Sequence, residues 1–429
     1  MAPGQLSGKA KALVTDPHLE DPNRRGIGGM AMDPSSVYLF VRRRYSGFAP
    51  EAYCPLYKVS VPDSSLPGAS ATTREESHRQ IAAVEIDLEG MSFVSLPSSE
   101  WIIGVGGVPG ATIIIDDDTE PPTKVIRGPN LLAAKRYPIL AAVGDKVYAL
   151  CISPSYKTEP DFVPWFEVLD LSKGTVTEAA DGSLRLDGCS WEELAWPSCF
   201  PRRLSPTDYL HPPIKNVRAY VVVPPYVLLS INPEMPSSCT YAFDTNSGEW
   251  HTINNSSLPF LGLAVPHGPR GCCVFLGSSQ KDGRVYAYHI RVSTSSSAKA
   301  GVVSAGKGSA LGLSITECSI RNKEHERVGR MAEHSIISLD SGRFSLLTFF
   351  LDHRKYKMIA SRTYSKKLFV KLTTYHIENN PAFLEETQGQ QNLLTLKHEI
   401  QVSKQQEQDF EFFSSYGFSP PEIRLALST

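Results

Sequence analysis

Long apolar runs are missing from this sequence. No stretch of its 429 residues approaches the ~18 consecutive apolar residues of a membrane-spanning helix. The first twenty residues, MAPGQLSGKAKALVTDPHLE, have no continuous apolar core of the kind that directs export. The expectation is a cytoplasmic or nuclear protein with no membrane partner. An excess of one charge is missing too: 43 basic against 45 acidic residues leave a net of −2, so no global field draws nucleic acid. GxSxG, HExxH, P-loop and CxxC patterns are also absent, so the nucleophile, zincin, nucleotide and zinc-ribbon readings lack their spacing. The glycine-rich GVGGVPG at Gly104 to Gly110 leads into the strand-like TIII, whereas a phosphate-cradling loop should open a helix. Without an export signal, the eight cysteines are expected as free thiols, most of them in the core.

What is present is a repeated strand grammar. In CTYAFDTNSGEWHTI, Cys239 to Ile253, Tyr241 and Phe243 alternate with small residues, Asp244 to Gly248 supplies turn chemistry, and Trp250 restarts an extended run. The stretch predicts a hairpin. Upstream, AYVVVPPYVLLSI is broken at Pro224-Pro225, where a sheet cannot keep its ladder. Similar units recur from Phe93 (FVSL, WIIGVGG, ATIIID), from Ala141 (AAVGDKVYALC, WFEVLDL, WEEL), at GCCVFLG with RVYAYHIRV, and at SIISLD with RFSLLTFF and LFVKLTTYHI. Val37 to Val41 and Leu56 to Val61 begin the series.

A double glycine after an apolar strand (Gly106-Gly107), an apolar strand ending in Asp, and then Trp (Trp250) resemble the Kelch repeat, although these features fall in different copies. The order PLYKVSV, IIGVGG, VGDKVYAL, FEVLDL, TYAFDTNSGEW, LPFLGLA, DGRVYAY is similar to Kelch-like proteins of uncharacterised function from grasses, over roughly Gly28 to Ile377. The resemblance implies an all-β propeller of about six four-stranded antiparallel blades. Residues 1–27 are expected as a lead-in, 28–378 as the propeller, and 379–429 as a glutamine-rich C-terminal tail, partly helical or disordered. The first blade looks incomplete before Val37, so a strand from the C-terminal region is expected to complete it.

Propellers present loops over one face of the ring, and function is expected there: a non-catalytic adaptor or scaffold that binds a protein partner, with no cofactor and no metal. The candidate contacts lie on WEELAWPSCFPRRLSPTDYLHPPIK, where Trp196, Phe200, Arg202, Arg203, Tyr209 and His211 combine rigid aromatic area with charged forks. The alternative for this insertion is a loop whose aromatics pack back on the sheet ends. Arg42, Arg43 and Arg44 form a second candidate surface, or a solvated strand end. The competing class is an enzyme or small-ligand receptor using the central channel. The Kelch resemblance extends that class to a copper oxidase-like site, for which His211, His251, His267, His289 and His334 are scattered candidates. Asp116-Asp117-Asp118 reads as a strand turn rather than a calcium loop, since the acidic residues do not alternate.

Overall fold

The computed structural model describes residues 36–42, 54–61, 78–84, 90–96, 98–99, 101–107, 109–116, 124–153, 164–200, 216–231, 239–254, 257–268, 273–295, 310–322, 334–339, 342–351, 367–378, 399–413 and 422–428. All of them lie in the compact unit Ser35–Thr429. Among the described residues there is no α-helix, and the strands build six antiparallel blades of four.

Blade 1 contains β1 (Ser36–Arg42), β2 (Cys54–Ser60) and β3 (His78–Val84). Blade 2 is β4 (Met91–Ser95), β5 (Trp101–Gly106), β6 (Ala111–Asp116) and β7 (Lys124–Arg127). Blade 3 starts with β8 (Ile139–Val143), β9 (Lys146–Leu150) and β10 (Phe166–Asp170), inserts the hairpin β11 (Thr175–Glu178) and β12 (Leu184–Asp187), and ends with β13 (Trp191–Glu193). Blade 4 is β14 (Val217–Val223), β15 (Tyr226–Ile231), β16 (Cys239–Asp244) and β17 (Glu249–Asn254). Blade 5 is β18 (Phe260–Pro266), β19 (Val274–Ser279), β20 (Val285–Ser295) and β21 (Ala310–Asn322). Blade 6 is β22 (His334–Ser338), β23 (Arg343–Leu351), β24 (Lys367–Ile377) and β25 (Glu399–Phe413). The last strand, β26 (Glu422–Ser428), returns to blade 1 and pairs antiparallel with β1, from Val37↔Ser428 to Arg42↔Glu422. The first blade is therefore completed from the C-terminal region, as its missing strand predicts. The inner strands β26, β4, β8, β14, β18 and β22 touch in sequence and close the ring.

Period-2 side-chain alternation makes this packing possible, because each strand offers one face to each neighbouring blade. On β14, Tyr220 and Val222 pack towards blade 3 while Ala219, Val221 and Val223 pack towards blade 5. The core is accordingly divided among the seams. Between blades 1 and 2 the rings of Phe40 and Phe93 stack at 4.0 Å, and between blades 6 and 1 Val37, Leu39 and Val59 meet Leu347, Leu372 and Phe410. Between blades 3 and 4, Phe243 stands edge-on to Phe166 at 4.8 Å, and truncating a buried ring of this kind costs about 3–5 kcal/mol.

Three seams also carry backbone pairing. The inserted β12 lies parallel to β7 of blade 2 through Leu184↔Ile126 and Arg185↔Arg127, so this insertion extends a neighbouring sheet. The inner strands β14 and β18 pair in parallel where β18 leaves its own register with β19 between Leu261 and Val265. The outer strands β21 and β25 pair in parallel from Ser319↔Glu399 to Asn322↔Val402.

The glutamine-rich segment corrects the expectation of a helical or disordered tail over 379–429: residues 399–413 and 422–428 are strands. On β25, Ile400, Val402 and Phe410 are buried while Gln405, Glu407 and Asp409 are exposed, a period-2 pattern in which Gln406 and Gln408 fall on the half-buried face.

The connection from β7 to β8 is pinned by a buried ion pair. Glu167 on β10 accepts the backbone N–H of Leu132 at 2.7 Å and of Ala133 at 3.3 Å, and pairs with the Lys135 ammonium. The same connection holds the double glycine, since the Gly107 N–H donates to the carbonyls of Gly90 and Lys135 at 3.0 and 2.9 Å.

Candidate functional site

Polar side chains from blades 3 and 4 converge at one end of the ring, in a cleft of about 290 Å³ lined by Val143, Gly144, Asp145, Lys146, Tyr148, Asp170, Ser172, Thr245 and Asn246. Each wall is a turn whose sequence dictates its shape. Between β8 and β9, Gly144 takes φ +58°, the conformation that the first residue of a two-residue hairpin loop demands, and Asp145 follows it into solvent. The Asp145 carbonyl accepts the N–H of Leu171, tying this hairpin to the end of β10. There Asp170 caps a single 3₁₀ turn, accepting the Ser172 N–H at 3.2 Å and its hydroxyl at 2.6 Å. The third wall is the β16–β17 turn. Asp244 accepts the Asn246 N–H at 2.9 Å, and Thr245 donates both its N–H and its hydroxyl to the Pro225 carbonyl, at 3.0 and 2.7 Å.

Tyr148 on β9 forms the floor. Its ring is buried beside Phe166 and Phe243, at 6.1 and 5.8 Å, and its hydroxyl shares a hydrogen bond with Thr245. Burial pushes the phenol's pKa above its ordinary value and the negative Asp170 adds to the rise, with the Thr245 hydrogen bond acting against them. Asp170 moves the other way, held below the usual carboxylate range by its Ser172 hydrogen bonds and by Lys146 and Lys173 nearby. At neutral pH the cleft thus offers a protonated phenol, the ionised Asp170 with the Asp145 carboxyl group beside it, and the amine, amide and two hydroxyls of Lys146, Asn246, Ser172 and Thr245. These groups hold a polar molecule by complementary hydrogen bonds.

The residues expected from the sequence as contacts lie elsewhere. The Leu194 N–H bonds to the carbonyl of Phe166, at the start of β10, so the Trp196 segment leaves blade 3 at the end opposite the cleft. Phe200 is only 2 % exposed and stands edge-on to Trp165 at 6.5 Å, which corrects its expected role as a surface contact: its ring fills a seam. Trp196 is half-buried against the same cluster. Arg202, Arg203, Tyr209, His211, Arg43 and Arg44 lie outside the described residues, and of Arg42 only the backbone, in β1, is described. Among the described residues no three His, Cys, Asp or Glu side chains are grouped to hold a metal. No sequence signal beyond turn chemistry at Gly144-Asp145 and Asp244 to Gly248 pointed to the cleft.

Fold and seams define a β-propeller. The chain matches the family model described as Protein of unknown function (DUF1668) over residues 36–402, and it belongs to that family. No curated protein matches it. Among solved structures it resembles the periplasmic gluconolactonase PpgL of Pseudomonas aeruginosa, with 11% identity and a TM-score of 0.36 over 90% of this chain and 99% of that one. It also resembles a putative 6-phosphogluconolactonase of Bacteroides uniformis, with 9% identity and a TM-score of 0.38 over 92% and 100%. A third is the WD40 domain of SCAP from fission yeast, with 9% identity and a TM-score of 0.23 over 89% and 67%. Several of these propellers carry the names of enzymes, which corrects the expectation of a non-catalytic adaptor, and that reading is set aside. The likeness itself speaks to the fold alone.

Proposed function

We propose that this propeller binds a small, hydroxyl-rich molecule in the cleft between the ends of blades 3 and 4. The observation that carries the reading is the Tyr148–Thr245–Asp170 arrangement: a buried, protonated phenol and an ionised carboxylate from blade 3 beside a hydroxyl from blade 4, with Asp170 and Thr245 fixed by hydrogen bonds in their turns. Donor and acceptor side by side over an aromatic floor suit vicinal hydroxyls. With Asp145 and Asp170 against Lys146, the cleft is one charge negative, so a neutral or cationic molecule fits better than an anion. A Kelch-type repeat is supported by the double glycine at the end of β5 and by Trp250 on β17, whose indole N–H donates to the Ala195 carbonyl at 2.6 Å.

The test is calorimetric titration of the full chain with a panel of neutral sugars and polyols, a sugar phosphate, and the Tyr148→Phe and Asp170→Asn variants. Saturable binding of a neutral member, weakened roughly tenfold by loss of the Tyr148 hydroxyl, is the expected result. Absence of binding at millimolar concentrations, or equal binding by Tyr148→Phe, overturns the reading.

A further inference from the structure

His267 closes the inner edge of the seam between blades 5 and 6. It follows β18, its N–H donates to the Val274 carbonyl at 2.9 Å, and its side chain is buried. Across the seam its Nδ1 lies 3.2 Å from Ser338 Oγ, at the end of β22, and its ring stands edge-on to Phe344 of β23 at 6.4 Å. The outer edge of the same seam is held differently, by backbone pairing of β21 with β25. The two blades are thus joined by a backbone ladder on the outside and by an imidazole on the inside.

We propose that this seam is an acid-sensitive joint: protonation of His267 parts the inner edge while β21 and β25 remain paired and act as its hinge. An imidazolium here would be a charge buried beside the Phe344 ring and the Ser338 hydroxyl. The titratable and charged side chains described on the surrounding elements are Arg343 on β23, Lys371, Tyr375 and His376 on β24, and Tyr286, Tyr288, Arg291 and His289 on β20, the last opposite Val274. None of them sets the acidity of His267; burial alone lowers it, from 6.5 to about 4.

The direction follows from linkage. The closed seam favours the neutral ring, so its stability is complete above the ordinary histidine value and is lost as pH falls from about 6.5 towards about 4. With those two values, the opening equilibrium at pH 5 rises roughly 30-fold over its value at pH 8.

Hydrogen–deuterium exchange of the full chain at pH 8 and pH 5, corrected for intrinsic exchange rates, tests the joint. The expected result is a roughly 30-fold loss of protection at residues 260–268 and 334–339, with 319–322 and 399–402 unchanged. His267→Gln, which keeps a polar partner for Ser338 but cannot titrate, should abolish that pH dependence; His267→Asn provides a second non-titrating variant should Gln fail to fold. The same pH dependence in a folded variant, or simultaneous loss of protection at 319–322 and 399–402, overturns the proposal.

Discussion

The ammonium of Lys135 and the carboxylate of Glu167 form an ion pair with both side chains fully buried. Glu167 also holds two backbone N–H groups of the β7–β8 connection, so it serves three donors at once. Replacing one partner strands a charge in a dry seam. Glu167→Leu or Lys135→Met should each cost about 3–5 kcal/mol. The double substitution Lys135→Met with Glu167→Leu should cost less than the sum, although the two N–H groups are then left without an acceptor. Urea unfolding of the three variants measures this, and strict additivity would show that the pair is not coupled.

Gly106 predicts a sharper loss than its composition suggests. Its φ is +122°, and a Cβ there would lie 2.6 Å from the Gly90 carbonyl oxygen and 2.9 Å from that of Lys135. Gly248, at φ +73°, has open space around it. Gly248→Ala should therefore cost about 1 kcal/mol, from backbone strain alone, and Gly106→Ala several times as much because backbone must move. Equal shifts in thermal midpoint would contradict this account of the double glycine.

Ending the chain after residue 421 removes β26 and with it the inner strand of blade 1. Tyr38, Leu39 and Phe40 on β1 are buried, and β1 would become an open sheet edge beside the channel. The truncated chain should aggregate or unfold without a sharp transition, and a synthetic peptide of residues 422–428 should partly restore solubility. A truncated monomer that melts as cooperatively as the full chain would show that the ring does not depend on this strand.

The histidine joint and the ligand cleft give the remaining predictions, with their pH and binding readouts stated above. Much of the fold was legible because punctuation is local: Asp244 to Gly248 marks the β16–β17 turn, and Pro224-Pro225 sits between β14 and β15. The strand character of β25 was not legible, because glutamine and glutamate are common in helices and its buried Ile400, Val402 and Phe410 are widely spaced. Pairing of β12 with β7 left no trace, since it joins residues nearly sixty apart through backbone groups that every residue carries. The cleft was hidden for a related reason. Its residues come from three turns whose chemistry already explains them locally, and only closure of blade 3 against blade 4 brings Tyr148 beneath Thr245. Glu167 looked like any polar residue on an alternating strand.

Val37 pairs with Ser428, 391 positions away. During synthesis β1 is made first of the pair, and its inner neighbour follows on the order of 20–80 s later at ordinary elongation rates. Throughout that interval the first blade has three strands and an uncovered edge. The cell must therefore shelter a nascent, unclosed ring, and the emergence of β26 sets the earliest moment at which that ring can close.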